Sequence, residues 1–148
     1  MRPEWDDIFL EIVGVLSKRS TCDRGRVSCL IVKDQRIIST GYAGSPIGQP
    51  HCDDVGHYLV NIKDSFTGVE SIHCIRTLHA EANAISIAAR FGIALEGSTL
   101  YCVMEPCFTC AGLLIQAGIK RVVCAKLYSG SDRGRTLLVE SGIDLCIR

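Results

Sequence analysis

His79-Ala80-Glu81 and, further on, Pro106-Cys107-Phe108-Thr109-Cys110 are the stretches whose reading decides the fold. Together they offer one imidazole, two thiols and one carboxylate. That donor set suits a zinc ion held by His79, Cys107 and Cys110 with a fourth position left to water. Cys107 and Cys110 are three apart, so on a helix they share a face. Pro106 suits the first helical position, which puts Cys107 in the first turn, where the helix dipole favours thiolate. His79 and Glu81 are two apart and would diverge in a helix interior. They converge only if a helix starts there, and the Ala-rich run 80–91, stopped by Gly92, predicts that start.

The chemistry follows from the donor set. Zinc lowers the pKa of a bound water from 15.7 to about 7, giving a nucleophile at neutral pH. Such a nucleophile can add to a ring carbon that carries an amino group. Glu81 is the carboxylate with motif support for taking the water's proton and passing it to the ring nitrogen and the departing amine. A lone Cys-x-x-Cys also reads as a redox pair, and isolated histidines and cysteines as core residues. The two motifs in this order favour the metal.

Working outward, Trp5, Ile8, Phe9, Ile12, Val13 and Leu16 recur at helical spacing and predict a helix over 4–18. Residues 27–32 and 37–40 predict two antiparallel strands around a turn at 33–36. Gly41 opens an irregular stretch reaching about Thr77, long enough to need a function or an anchor. Beyond the helix at 80–91 come a strand at 99–103, the Cys-x-x-Cys helix to about Gly118, a strand at 121–125, a helix at 132–141 and a strand at 144–147. This order predicts an α/β fold, with a five-stranded mixed sheet covered by helices in one domain over 1–148.

Cys22, Cys52, His57 and Cys74 lie outside the catalytic set, with His51 and His73 beside them. A second, closed zinc site on these four would pin the long stretch; buried thiols and loop histidines are the alternative. Cys29, Cys102, Cys124 and Cys146 fall in predicted strands as small core residues.

Composition limits the partners. The 16 basic residues equal the 16 acidic ones, which argues for a small substrate and against a nucleic-acid polymer. No apolar run approaches the roughly 20 residues that span a bilayer, and the acidic start Met1 to Asp7 does not read as a signal peptide. Nine cysteines, an odd number, fit metal binding in a reducing cytoplasm better than a disulfide framework.

The ordered pair His-x-Glu and Pro-Cys-x-x-Cys is the known signature of zinc deaminases. With Gly41-Tyr42-Ala43-Gly44-Ser45-Pro46, His51-Cys52, the run Cys74 to Ile85 and Ala117-Gly118-Ile119-Lys120, the chain resembles the deoxycytidylate deaminases of the cytidine deaminase superfamily from about Cys22 to Tyr128. The resemblance implies the three-layer cytidine-deaminase-like fold and conversion of dCMP and water to dUMP and ammonia. It also implies a homo-oligomer, commonly a hexamer, with dCTP and dTTP as effectors. Tyr128 matches a tyrosine that packs on the nucleotide, and Arg90 matches a subunit contact. Some phage members carry a second zinc with ligands matching Cys22 and Cys52; its other ligands do not match here, so His57 and Cys74 rest on proximity and chemistry.

Two departures bear on substrate. The family usually has Asn where Ala43 stands, and that Asn bonds the sugar, which Ala cannot do. It often has Val-Gly-Ala in the first strand, lining the base pocket, where this chain reads Val27-Ser28-Cys29. Ser28, Cys29 and Ala43 are therefore expected at the substrate. Arg24, Arg26 and Lys120 are the candidates for phosphate, Arg24 first. Another nucleotide, nucleoside or base stays open as the substrate. A non-catalytic nucleotide sensor is the reading from a different class, and the retained Glu81 argues against it.

Overall fold

Strand residues alternate between two buried faces, and that alternation sets the layering. In the computed structural model, which describes residues 1–128 and 130–148, the main sheet runs β2 (Arg36–Tyr42), β1 (Ser28–Lys33), β5 (Thr99–Met104), β6 (Arg121–Lys126) and β7 (Asp144–Ile147). β1 is antiparallel to β2 and β5, while β5, β6 and β7 are parallel. Leu30, Val32, Tyr101 and Val123 face α1 (Trp5–Ser17), which buries Phe9 and Val13 against them. Cys29, Ile31, Leu100, Cys102, Val122 and Cys124 face the other way, onto α3 (Ala80–Phe91), α4 (Phe108–Gln116) and α5 (Asp132–Glu140). The central strands are covered on both sides and so read as near-continuous apolar runs.

Polar contacts fix α1. Asp6 accepts from the Tyr101 hydroxyl at 2.7 Å and from two Arg121 nitrogens at 2.9 and 2.8 Å. The Arg121 hydrogen bond, followed in weight by opposing burial, holds the Asp6 carboxyl below its ordinary range. One ion-paired carboxylate thus ties the first helix to β5 and β6.

The stretch expected to be irregular between Gly41 and Thr77 is not. β2 runs on through Tyr42, α2 (Cys52–Val55) makes one turn, and β3 (Leu59–Lys63) and β4 (Glu70–Cys74) form an antiparallel hairpin. Its residues are largely exposed, Leu59 at 47%, Ile62 at 45% and Ile72 at 59%. With so little burial the hairpin leaves no apolar stripe in the sequence. A two-stranded hairpin is marginal in water, so other contacts must hold it.

Two starts of helices matter most. His79 is the N-cap of α3, which closes at Gly92 in the left-handed region, φ 67°. Cys107 is the N-cap of α4, and Pro106 lies before it. The sequence places Pro106 at the first helical position and Cys107 in the first turn; the helix instead starts two residues later, at Phe108, which makes Cys107 the N-cap and leaves Pro106 outside the helix. Cys107 keeps extended backbone because its sulfur caps the helix, accepting the Cys110 N–H at 3.5 Å.

Gly41 sets how closely β2 approaches α3. A Cβ there would lie 2.1 Å from the Ala80 carbonyl oxygen and 2.7 Å from the Ala84 nitrogen, both backbone. Gly41→Ala is expected to destabilise the fold by about 3 kcal/mol, because backbone cannot step aside. Urea unfolding checks this; an unchanged midpoint would show that the contact is soft.

Candidate metal centre and substrate cavity

The N-terminus of α3 brings His79, and that of α4 brings Cys107 and Cys110. Nδ1 of His79 is 3.5 Å from each sulfur, and the three donor atoms lie within 4.8 Å of one another. One imidazole and two sulfurs at this spacing suit tetrahedral zinc with a fourth position free. Cys107 is driven down to about 4, first by its hydrogen bond with Cys110, and also by His79. The same pairing pushes Cys110 up and raises His79. Hydrogen bonding within the cluster thus favours the thiolate form of Cys107.

Glu81 is the second residue of α3, in its first turn, and is only 8% exposed. Burial, above all, raises its carboxyl above the ordinary range. A carboxylate this dry, beside the donor cluster, is placed to accept and return a proton.

A cavity of about 300 Å³ opens over this floor. His79, Glu81 and Cys107 line it, with Ser28, Ala43 and Tyr128 from the expected substrate set and Arg24 at its side. Cys29 is not among its walls. It is fully buried in the core with Ala80 and Ala84, because strand alternation turns it toward α3. Ser28 reaches the cavity, but its hydroxyl donates to the Val13 carbonyl at 2.6 Å. The other phosphate candidates stand apart: Arg26 pairs with Asp53 at 3.2 Å, and neither it nor Lys120 lines the cavity. Arg90, in the last turn of α3, lines a second concavity of about 500 Å³ with Tyr42, Ile47 and Leu78.

The four residues expected at a second metal also meet. One donor atom each from Cys22, Cys52, His57 and Cys74 lies within 4.8 Å of the others. Cys22 follows α1, Cys52 opens α2, and His57 and Cys74 flank the base of the β3–β4 hairpin. Cys52 and Cys74 are 3.5 Å apart, and His57 Nδ1 is 3.5 Å from the Cys22 sulfur. The other nitrogen of His57 is 3.0 Å from an Asp23 oxygen, the carboxylate–histidine arrangement that orients a metal ligand. Burial opposes ionisation of Cys74, but backbone hydrogen bonds at Arg76 and Tyr58 bring it to about 6. Burial, with the neighbouring Cys74 and Cys22, pushes Cys52 up to about 12.

Two residues were not singled out from sequence. Glu105 is 3% exposed and accepts from the Tyr128 N–H at 3.1 Å, from Ser131, and from Arg135 at 3.0 Å. The Arg135 contact, first, lowers its carboxyl. Glu105 therefore fixes the backbone that presents Tyr128 to the cavity. Its place just before Pro106-Cys107 was the available signal. Asn83 donates to the Tyr42 carbonyl at 3.0 Å and ties α3 to the end of β2, inside the run His79 to Ala84.

Residues 3–126 match the family described as the cytidine and deoxycytidylate deaminase zinc-binding region. The chain is 39% identical to the deoxycytidylate deaminase of Mycobacterium phage D29, over 84% of this chain and 97% of that one. It is 38% identical to the deoxycytidylate deaminase of Schizosaccharomyces pombe, over 97% of this chain but only 44% of the yeast enzyme's length. Among solved structures, the dCMP deaminase of cyanophage S-TIM5 in complex with dCMP and dUMP superposes with a TM-score of 0.79 at 28% identity, covering 100% of this chain and 99% of that one. No helix among the described residues is long and apolar enough to cross a membrane. On the match along most of its length, the chain belongs to the cytidine and deoxycytidylate deaminase zinc-binding family.

Proposed function

We propose that this chain deaminates dCMP hydrolytically, taking dCMP and water to dUMP and ammonia. The observation that carries the reading is the buried Glu81 beside His79, Cys107 and Cys110 on the floor of one cavity. The cyanophage relative, solved with dCMP and dUMP, supports the choice of nucleotide. His79, Cys107 and Cys110 would hold zinc, which when bound would supply a water nucleophile at neutral pH. Glu81 takes the water's proton as oxygen adds to the ring carbon bearing the amine. It then gives a proton to the ring nitrogen and assists the amine out as ammonia. Tyr128, held through Glu105, packs on the nucleotide.

Ala43 on the cavity wall favours a second reading, wider acceptance of cytosine nucleotides, since it offers no hydrogen bond to a sugar hydroxyl. A panel of dCMP, dCTP, CMP and cytidine separates the two. Glu81→Gln is expected to cut ammonia release from dCMP by at least about 100-fold with zinc content unchanged. Near-normal turnover in that variant would remove Glu81 from the proton path.

Cys22, Cys52, His57 and Cys74 form, on this reading, a closed structural zinc site. A complete set of four donors supports it, as does the need of an exposed hairpin for an anchor. Elemental analysis should give two zincs per chain and one in Cys52→Ser. One zinc in both would sink the second site.

The chain also works, on this reading, as a cytoplasmic homo-oligomer, a hexamer by family likeness, with dCTP and dTTP as effectors. The exposed Ile47, Leu78 and Phe91 near the Arg90 concavity support an interface there. Light scattering should report a hexamer, and Arg90→Glu should shift it to smaller species. A monomer at micromolar concentration would refute this.

A further inference from the structure

Glu105 is a buried acid in the wall of the catalytic cavity, two residues ahead of the metal donor Cys107. Taking a carboxylate out of water is costly, and apolar residues of similar volume in place of a buried ion pair are often as stable or more so. Stability alone therefore does not account for the pair that Glu105 makes with Arg135. Both carboxylate oxygens are engaged by protein donors. One accepts from the Tyr128 N–H at 3.1 Å and from the Ser131 hydroxyl, the other from Nε of Arg135 at 3.0 Å. The Glu105 main-chain N–H donates to the Lys126 carbonyl at 3.0 Å, just past the last paired residues of β5 and β6. One residue thus leads into the metal loop and gathers in the chain that follows β6.

The first turn of α5 supplies the other half of the arrangement. A Cβ on Gly134 would lie 2.9 Å from the Pro106 carbonyl oxygen and 3.1 Å from the Cys107 carbonyl carbon, so the helix backbone rests directly on the metal loop. Ser131, the N-cap of α5, and Arg135 close on Glu105 from either side of that contact. Arg133 faces outward instead. It pairs with Asp64 at the tip of the β3–β4 hairpin, and its guanidinium lies 5.3 Å from the centre of the Phe66 ring. Tyr128 and Cys107 are therefore registered against one helix, and Glu105 is the side chain that joins them.

We propose that Glu105, paired with Arg135, is a positioning residue for deamination: it fixes Tyr128 relative to the metal loop and so sets the angle at which the nucleotide ring faces Glu81. The proposal rests on the deamination reading above and adds to it a residue that touches neither substrate nor metal. Its effect falls on orientation more than on affinity. A ring that packs on a loosened Tyr128 still binds, but it spends less time aligned with the groups that react, and misplacement of this kind lowers the rate of the chemical step.

Two variants of the zinc-loaded protein test this, Glu105→Gln and the paired change Glu105→Leu with Arg135→Leu. Each should lower kcat for dCMP by about 10-fold. Calorimetric affinity for the product dUMP should stay within about threefold of wild type, and zinc content should not change. The leucine pair should also keep its urea midpoint, since a buried ion pair is replaced by apolar packing; if it fails to fold, the shape-conserving glutamine variant decides. In a Tyr128→Ala background, Glu105→Gln should cost less than about twofold, because the two residues act as one unit. An unchanged kcat, a kcat loss that persists in full without Tyr128, or a parallel loss of zinc would each overturn the proposal. A wild type inactive on dCMP but active on another member of the panel would strike only the choice of nucleotide, and the same comparison is then made on that substrate.

Discussion

Everything in this molecule depends on two helices beginning at the same point in space. Three donors and a carboxylate must converge without a long loop to carry them. Helix starts do this cheaply, since their side chains fan outward before the backbone commits to its turn. His79 and Cys107 are both N-caps with extended backbone, and Glu81 and Cys110 follow inside the first turns. The parallel β5 and β6, joined through α4, and the close seat of β2 on α3 at Gly41 place those two starts together. The sheet is the rigid element that makes the geometry reproducible.

Much of this was readable in the chain because chemistry and periodicity agreed. The bounds of α3 follow from an Ala-rich run between a histidine and a glycine, and the structure has the helix over Ala80–Phe91. The three central strands of the main sheet, β1, β5 and β6, are apolar because both faces are covered. The metal-type side chains are legible from residue chemistry alone, even across Cys22 to Cys74, since few other residues offer such donors.

What stayed hidden had weak local signals. Most of both faces of the hairpin meets solvent, so burial printed no pattern on it. Pro106 looked like a first helical residue because propensity does not register that a sulfur can cap a helix. The place of Cys29 depended on which way β1 turns its odd residues, a fact of register that a strand of buried residues does not reveal. Glu105 and Asn83 work through backbone groups of distant segments, and no spacing rule reports such contacts.

The far end of the hairpin rests on α5 by means that differ from those at its base. Arg133 is 54% exposed where it meets Asp64, and its flat cation lies over Phe66. An open ion pair of this kind is screened as electrolyte is added, whereas buried donors deep in the molecule are not. The next two residues, Gly134 and Arg135, press on Pro106 and bind Glu105. A single turn of α5 thus carries both a salt-screened tether for the hairpin tip and the contacts that seat the residues just ahead of Cys107.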